Sequence, residues 1–205
     1  MYLDVDSSTF AVTYDYRCPF ARNAHEHIVA ALQAGAEWNV EFLPFSLSEA
    51  HLEEGATSTW DDPSTAAQRL ATEAGIVVRD RFSDQFLNVH LAFFAARHDR
   101  AVDLNDREVV AEILSDNGLD AEKVFAEVEA GWPAEISREA HRVQVDVHEA
   151  FGVPTFICDG DAAFARIMTR PNGDGKLARA TIERVVDLLA DSPEINEFKH
   201  TKISK

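Results

Sequence analysis

Apolar and polar positions alternate near both ends of the chain and recur at helical spacing through most of the stretch between. Thr9, Phe10, Ala11, Val12, Thr13 and Tyr14 are rich in β-branched and aromatic side chains, which predicts a strand. It runs into Asp15-Tyr16-Arg17-Cys18-Pro19-Phe20. A helix is expected to begin there, because the N–H that proline lacks would be unpaired at a first helical position anyway. Ala24, Ile28, Ala31 and Leu32 continue at helical spacing and Gly35 closes the run. Residues 38–45 alternate again through Val40, Phe42 and Pro44, a second strand. The connection is long enough for the two strands to pair in parallel.

From about residue 48 to 149 the period is helical. Phe82, Phe86, Val89 and Phe93 form one stripe, with Gln85, Asn88 and His90 read as the solvated face of the same helix or, alternatively, as the lining of a pocket beneath Cys18. Asn105 and Glu108 have capping-box spacing before Val109, Val110, Ile113 and Leu114. Asp120 caps a helix through Val124, Phe125 and Val128, and Ile136, Ala140, Val143 and Val147 mark another. Residues 55–63 read as a loop, in which Trp60 either caps a groove or simply packs. Strand signals return at Pro154-Thr155-Phe156-Ile157-Cys158, followed by the turn residues Asp159-Gly160-Asp161 and a second arm at 163–168. After a Pro-Asn-Gly loop, Ile182, Val185, Val186 and Leu189 line a last helix. The order is β-α-β, a helical block, then β-β-α.

Composition narrows the class. With 46% hydrophobic and 27% charged residues in 205, the chain is globular rather than disordered. Lys and Arg number 19 against 36 Asp and Glu, a formal charge of −17. Such a surface repels phosphate backbones, and no basic stripe offsets it, so nucleic acid is not an expected partner. Lys199, Lys202 and Lys205 make only a short basic tail. The longest apolar stretches, such as 91–96, fall far below the ~18 residues needed to span a bilayer. The acidic start at residues 1–6 lacks a signal-peptide pattern, so the expectation is a cytoplasmic chain with no membrane partner. Two cysteines are too few for a disulfide scaffold or a Cys-based zinc site. His25 and His27 stand two apart on one helix and so face different sides, which argues against a metal pair. No glycine-rich phosphate loop implies a nucleotide cofactor.

Cys18 carries the candidate chemistry. It stands where a strand turns into a helix, and unpaired N–H groups with the helix dipole stabilise an anion there. Arg17 and Arg22 push the same way and Asp15 pushes back, so the expectation is a thiol pKa below the free value. A buried structural thiol is the alternative. Cys158 is assigned to core packing. Four residues past Pro154 along a strand is ~13 Å, at ~3.3 Å per residue, beyond the ~4.4–6.8 Å between Cα atoms that a disulfide spans.

Tyr14-Asp15-Tyr16-Arg17-Cys18-Pro19-Phe20-Ala21 resembles the active-site segment of the DsbA-like branch of the thioredoxin superfamily. Gly152-Val153-Pro154-Thr155-Phe156 resembles that branch's second signature, a loop holding a cis-proline. The resemblance implies an α/β thioredoxin-like fold with an all-helical insertion: residues 1–47 and 150–205 form the thioredoxin-like domain and 48–149 the insertion. It implies Cys18 as nucleophile, with Pro19, Phe20, Val153, Pro154 and Thr155 lining the substrate groove and the Val153 backbone hydrogen-bonding an extended thiol substrate. Where DsbA-type enzymes carry a second cysteine, this chain has Ala21. A lone Cys18 can form only a mixed disulfide, resolved by an outside thiol. The same segment is similar to 2-hydroxychromene-2-carboxylate isomerases and kappa-class glutathione transferases, in which this position acts on a bound low-molecular-weight thiol. The implied activity is thiol–disulfide exchange through one cysteine. The alternatives are a thiol-dependent transferase or isomerase, or a non-catalytic binding protein. No bound cofactor is expected beyond glutathione or mycothiol as cosubstrate. Expected partners are a thiol-containing small molecule or protein client, with a homodimer also open.

Overall fold

The computed structural model describes residues 8–192, 194–197 and 199–200, so the acidic start and Lys202 and Lys205 of the basic tail lie outside them. β1 (Thr9–Tyr14), α1 (Pro19–Gln33) and β2 (Asn39–Pro44) come first. Six helices follow: α2 (Leu47–Ala50), α3 (Ala66–Arg81), α4 (Ser83–His98), α5 (Arg107–Asp116), α6 (Ala121–Glu129) and α7 (Trp132–His148). A short 3-10 turn at Pro63–Thr65 leads into α3. β3 (Thr155–Cys158), β4 (Asp161–Phe164) and α8 (Gly175–Asp191) complete the chain. The strands form one mixed sheet in the order β2-β1-β3-β4. β1 runs parallel to β2, and β3 is antiparallel to both of its neighbours. This is the α/β architecture with an all-helical insertion that the sequence implies.

Val12 lies opposite both Phe42 and Phe156, so these three side chains form one row across the sheet, all buried. α1 and α8 pack on each other, and α4 packs on α1, joining the insertion to the sheet layer. No described helix is long and apolar enough to cross a membrane.

Three sequence expectations are corrected. The helix cap before α5 is Asp106, not Asn105: its carboxylate accepts from the Glu108 N–H at 2.8 Å. The hairpin's second strand covers Asp161–Phe164 rather than 163–168. In α7 the buried residues are Pro133, Ser137, His141 and Gln144, while Val147 is 66% exposed. The polar face turns inward, and its His141 finds partners there. His141 accepts the Ser46 N–H at 3.3 Å, and its ring packs 4.4 Å from that of Phe45.

Candidate active site

β1 ends at Tyr14, and the next four residues make a tight turn in which the Cys18 N–H donates to the Asp15 carbonyl at 3.0 Å. The buried Asp15 carboxylate organises this turn. It accepts from the Arg17 N–H (2.9 Å), Arg17 Nε (3.0 Å), Arg17 Nη2 (2.7 Å) and the Leu47 N–H (2.9 Å). Arg17 Nη1 then reaches Ser48 Oγ at 2.5 Å, tying the turn to the start of α2.

Cys18 is the N-cap of α1 and Pro19 its first helical residue. Its sulfur accepts the Ala21 N–H at 3.5 Å, in the place where a serine or aspartate oxygen would ordinarily satisfy an orphan donor. Its S–H donates to the carbonyl of Val153 at 3.3 Å. Val153 precedes Pro154 through a cis peptide bond. The thiol is only 7% exposed, and burial pushes its pKa up, outweighing the N–H groups of Ala21 and Phe20 that pull it down. This is the opposite of the direction expected from the helix start, because position at a helix start does not reveal that the sulfur is desolvated. The two arginines expected to favour the thiolate are engaged elsewhere. Arg17 is held by Asp15, and Arg22 by Asn23 and Asp99. The guanidinium that does favour the thiolate is that of Arg166.

Arg166 arrives by strand register. Asp159 and Gly160, both at positive φ (51° and 91°), form a two-residue turn between the paired residues Cys158 and Asp161. The ladder then pairs Thr155 with Phe164, and the Ala165 N–H continues it by donating to the Pro154 carbonyl at 3.2 Å. Arg166 comes next in the chain, just past this bond to the Val153–Pro154 loop. Its guanidinium stands 5.4 Å from the Phe20 ring centroid and 5.7 Å from that of Phe164. Phe151, 70% exposed, packs 5.1 Å from Phe164.

On the insertion side, the turn rests on a buried hydrogen-bond chain. Tyr16 Oη lies 2.9 Å from His90 Nδ1, His90 Nε2 lies 2.8 Å from His25 Nδ1, and His25 Nε2 lies 3.2 Å from the Thr13 carbonyl. A carbonyl only accepts, so His25 carries its proton on Nε2 and its Nδ1 must accept. His90 therefore donates from Nε2 and accepts the Tyr16 hydroxyl at Nδ1. Every link is satisfied only if both rings are neutral. Burial enforces that state: it lowers the His25 pKa to about 4 and that of His90 well below the ordinary value, while Tyr16 is pushed well above 10. His90 is fully buried, contrary to the solvated face expected for it. It follows Phe86 by four residues and precedes Phe94 by four, and that apolar setting was the available signal. Gly75 of α3 makes room, since a Cβ there would stand 2.7 Å from the Tyr16 hydroxyl.

Of the residues singled out in the sequence, Cys18 and Val153 are in direct contact, with Pro154 and Phe20 beside them in the chain. Pro19 is exposed. Thr155 is buried within the loop's own bonding: its N–H donates to Thr13 Oγ1 and its hydroxyl to the Gly152 carbonyl, both at 2.8 Å. Cys158 is buried on β3, donates to the Thr9 carbonyl at 3.6 Å and forms no disulfide. Trp60 packs 5.4 Å from His141, on the insertion side of the turn.

A family model described as the DSBA-like thioredoxin domain matches residues 10–169. No curated relative matches the sequence. Among solved structures, the chain is similar to a probable DsbA oxidoreductase from Streptomyces coelicolor, with 17% identity, a TM-score of 0.59, and 94% of this chain and 93% of that one covered. It is similar to the cytosolic disulfide reductase DsbM of Pseudomonas aeruginosa, with 18% identity, a TM-score of 0.57, and 88% and 99% covered. It is also similar to a 2-hydroxychromene-2-carboxylate isomerase, with 13% identity, a TM-score of 0.59, and 89% and 98% covered. These identities speak to the fold, and the match over residues 10–169 takes in both the Cys18 turn and the Val153–Pro154 loop: the chain belongs to the DSBA-like thioredoxin domain family.

Proposed function

We propose that the protein catalyses thiol–disulfide exchange at Cys18 alone, through a mixed disulfide resolved by an external thiol. One observation carries the reading. The Cys18 sulfur caps α1 and donates to the Val153 carbonyl, so the thiol sits where a helix start meets the loop entering β3. In the exchange, the thiol proton leaves to solvent and the sulfur attacks one sulfur of the incoming disulfide. The new S–S bond oxidises Cys18, the old one breaks, and the leaving thiolate is reduced and takes up a proton. Ala21 occupies the position of a resolving cysteine, so glutathione, mycothiol or a client thiol must attack the mixed disulfide and release Cys18. A cytoplasmic setting, where such thiols are kept reduced, supplies that attack. The names of the Streptomyces and Pseudomonas proteins agree with this chemistry.

A second reading is favoured by the raised pKa of Cys18. A thiol that stays protonated at neutral pH is a hydrogen-bond donor, suited to steadying the thiolate of a bound low-molecular-weight thiol in a transferase or isomerase. The deciding experiment incubates the Cys158→Ala protein with glutathione disulfide and measures the adduct by mass spectrometry. Exchange predicts one mixed disulfide on Cys18, absent from Cys18→Ser and released by a second thiol. If no adduct forms, and Cys18→Ser still turns over an aromatic electrophile with glutathione, the exchange reading falls and the second stands.

A further inference from the structure

Resting on the exchange reading, we infer that Arg166 makes Cys18 selective for disulfides that carry a carboxylate beside the reacting sulfur.

Three other arginines are already engaged in ion pairs. Arg17 is held by Asp15, Arg22 by Asp99, and Arg170 by both Glu26 and Asp99. Arg166 takes part in none of the ion pairs among the described residues. It is exposed, yet it directly follows Ala165, whose N–H donates to the Pro154 carbonyl, so its backbone is held beside the Val153–Pro154 loop. The aromatic rings then hold its head. Phe20 and Phe164 lie 5.4 and 5.7 Å from the guanidinium, within the range of a cation–π contact. Phe151, itself 70% exposed, extends the apolar surround beside Phe164. A planar guanidinium with donors left over suits a carboxylate, which it can bind with two parallel hydrogen bonds. Phe20 is two residues from Cys18 and Val153 accepts the thiol proton, so an anion on Arg166 lies next to the sulfur under attack.

The rest of the chain works against this. A net charge of −17 repels anions at long range. At physiological salt the Debye length is ~8 Å, so that repulsion is largely screened while a contact with Arg166 is not. Selection for an anionic partner in so acidic a protein is therefore local and rests on one side chain.

The test uses the full chain in a Cys158→Ala background at physiological salt, with three disulfide probes. These are 5,5′-dithiobis(2-nitrobenzoate), which is anionic; 2,2′-dithiodipyridine, which is neutral; and cystamine, which is cationic. Each second-order rate is divided by that of the same probe with 2-mercaptoethanol, a neutral thiol, to remove intrinsic reactivity. The expected order is anionic, neutral, cationic, with roughly tenfold between the extremes. Arg166→Gln should bring the three to within about twofold, and Arg166→Lys should restore part of the spread. A general loss of thiol reactivity would lower all three rates together and leave their ratios in place, so the ratios report selectivity alone. An unchanged order in Arg166→Gln overturns the inference, as does cystamine reacting fastest with the parent protein. Failure of Cys18 to react with any probe overturns the exchange reading as well, and the two failures are thereby told apart.

Discussion

On the insertion side, the turn before Cys18 rests on Tyr16, His90 and His25, three buried groups whose hydrogen bonds all run in one direction and end on the Thr13 carbonyl. On the hairpin side it meets Val153, Phe164, Arg166 and Phe151, the last of them 70% exposed. The first set is neutral, dry and fully paired, and a change in any member leaves another with a missing partner. The second is open, carries a charge, and depends on the ladder only for its register. The two meet at Thr13, which receives His25 through its carbonyl and Thr155 through its hydroxyl. The contrast separates what holds the sulfur in place from what an incoming molecule would encounter. Substitutions on one side should move stability, and on the other, reactivity.

The sharpest break is His90→Phe. The ring is of similar size, but the Tyr16 hydroxyl loses its acceptor and His25 Nδ1 its donor. Each buried group left unpaired costs ~1–3 kcal/mol, so the variant should lose about 4 kcal/mol. Urea denaturation checks this through a lower midpoint at an unchanged slope.

Acid should act on the same side of the turn. The His25 pKa is lowered by burial to about 4, from 6.5 in the unfolded chain. The neutral ring's contribution is therefore fully present above pH 6.5. As pH falls toward 4 the unfolded chain binds a proton that the folded one refuses, and stability is lost. At ~1.4 kcal/mol per pH unit, that interval costs about 3 kcal/mol from His25 alone. His90 shifts in the same direction. Urea midpoints measured between pH 7 and 4.5 should fall steadily. A flat profile would mean that the rings are not held neutral.

Gly75→Ala tests the space rather than the bonding. The added Cβ would meet the Tyr16 hydroxyl at 2.7 Å, and that hydroxyl is fixed by His90. Overpacking of this kind costs about 2 kcal/mol. In a Tyr16→Phe background the clash is largely removed, since the next ring atoms stand at 3.5 Å, so the two substitutions should be strongly non-additive in a double-mutant cycle.

The contrast also explains what could be read from the chain alone. β1 was legible to the residue because Thr9–Tyr14 is uniformly β-forming, and Pro19 fixed the start of α1. The contact between Cys18 and the Val153–Pro154 loop was legible only through a family resemblance, since 135 residues separate Cys18 from Val153. The His25–His90 bond was not legible. The place of His90 between Phe86 and Phe94 points to burial, but a helical wheel does not say which element of the fold its ring meets. The hairpin's register was within reach, though not the place of the Arg166 side chain. The Asp-Gly pair at 159–160 is the signature of a two-residue hairpin turn, and counting back from it pairs 158 with 161 and 155 with 164, two residues short of Arg166.

The smallest stability effect is expected on the hairpin side. Arg166→Gln removes a charge that is exposed and joined to no carboxylate among the described residues, and what it loses in the fold is contact with the Phe20 and Phe164 rings. An exposed cation–π contact is worth ~0.5–1 kcal/mol, and the glutamine stem retains part of the packing, so the urea midpoint should correspond to a loss of no more than about 0.5 kcal/mol. A loss several times larger would place Arg166 with Tyr16 and His90 as part of the turn's support. Its effect on probe rates could then no longer be assigned to recognition, and the division between a supporting side and an encountering side would not hold.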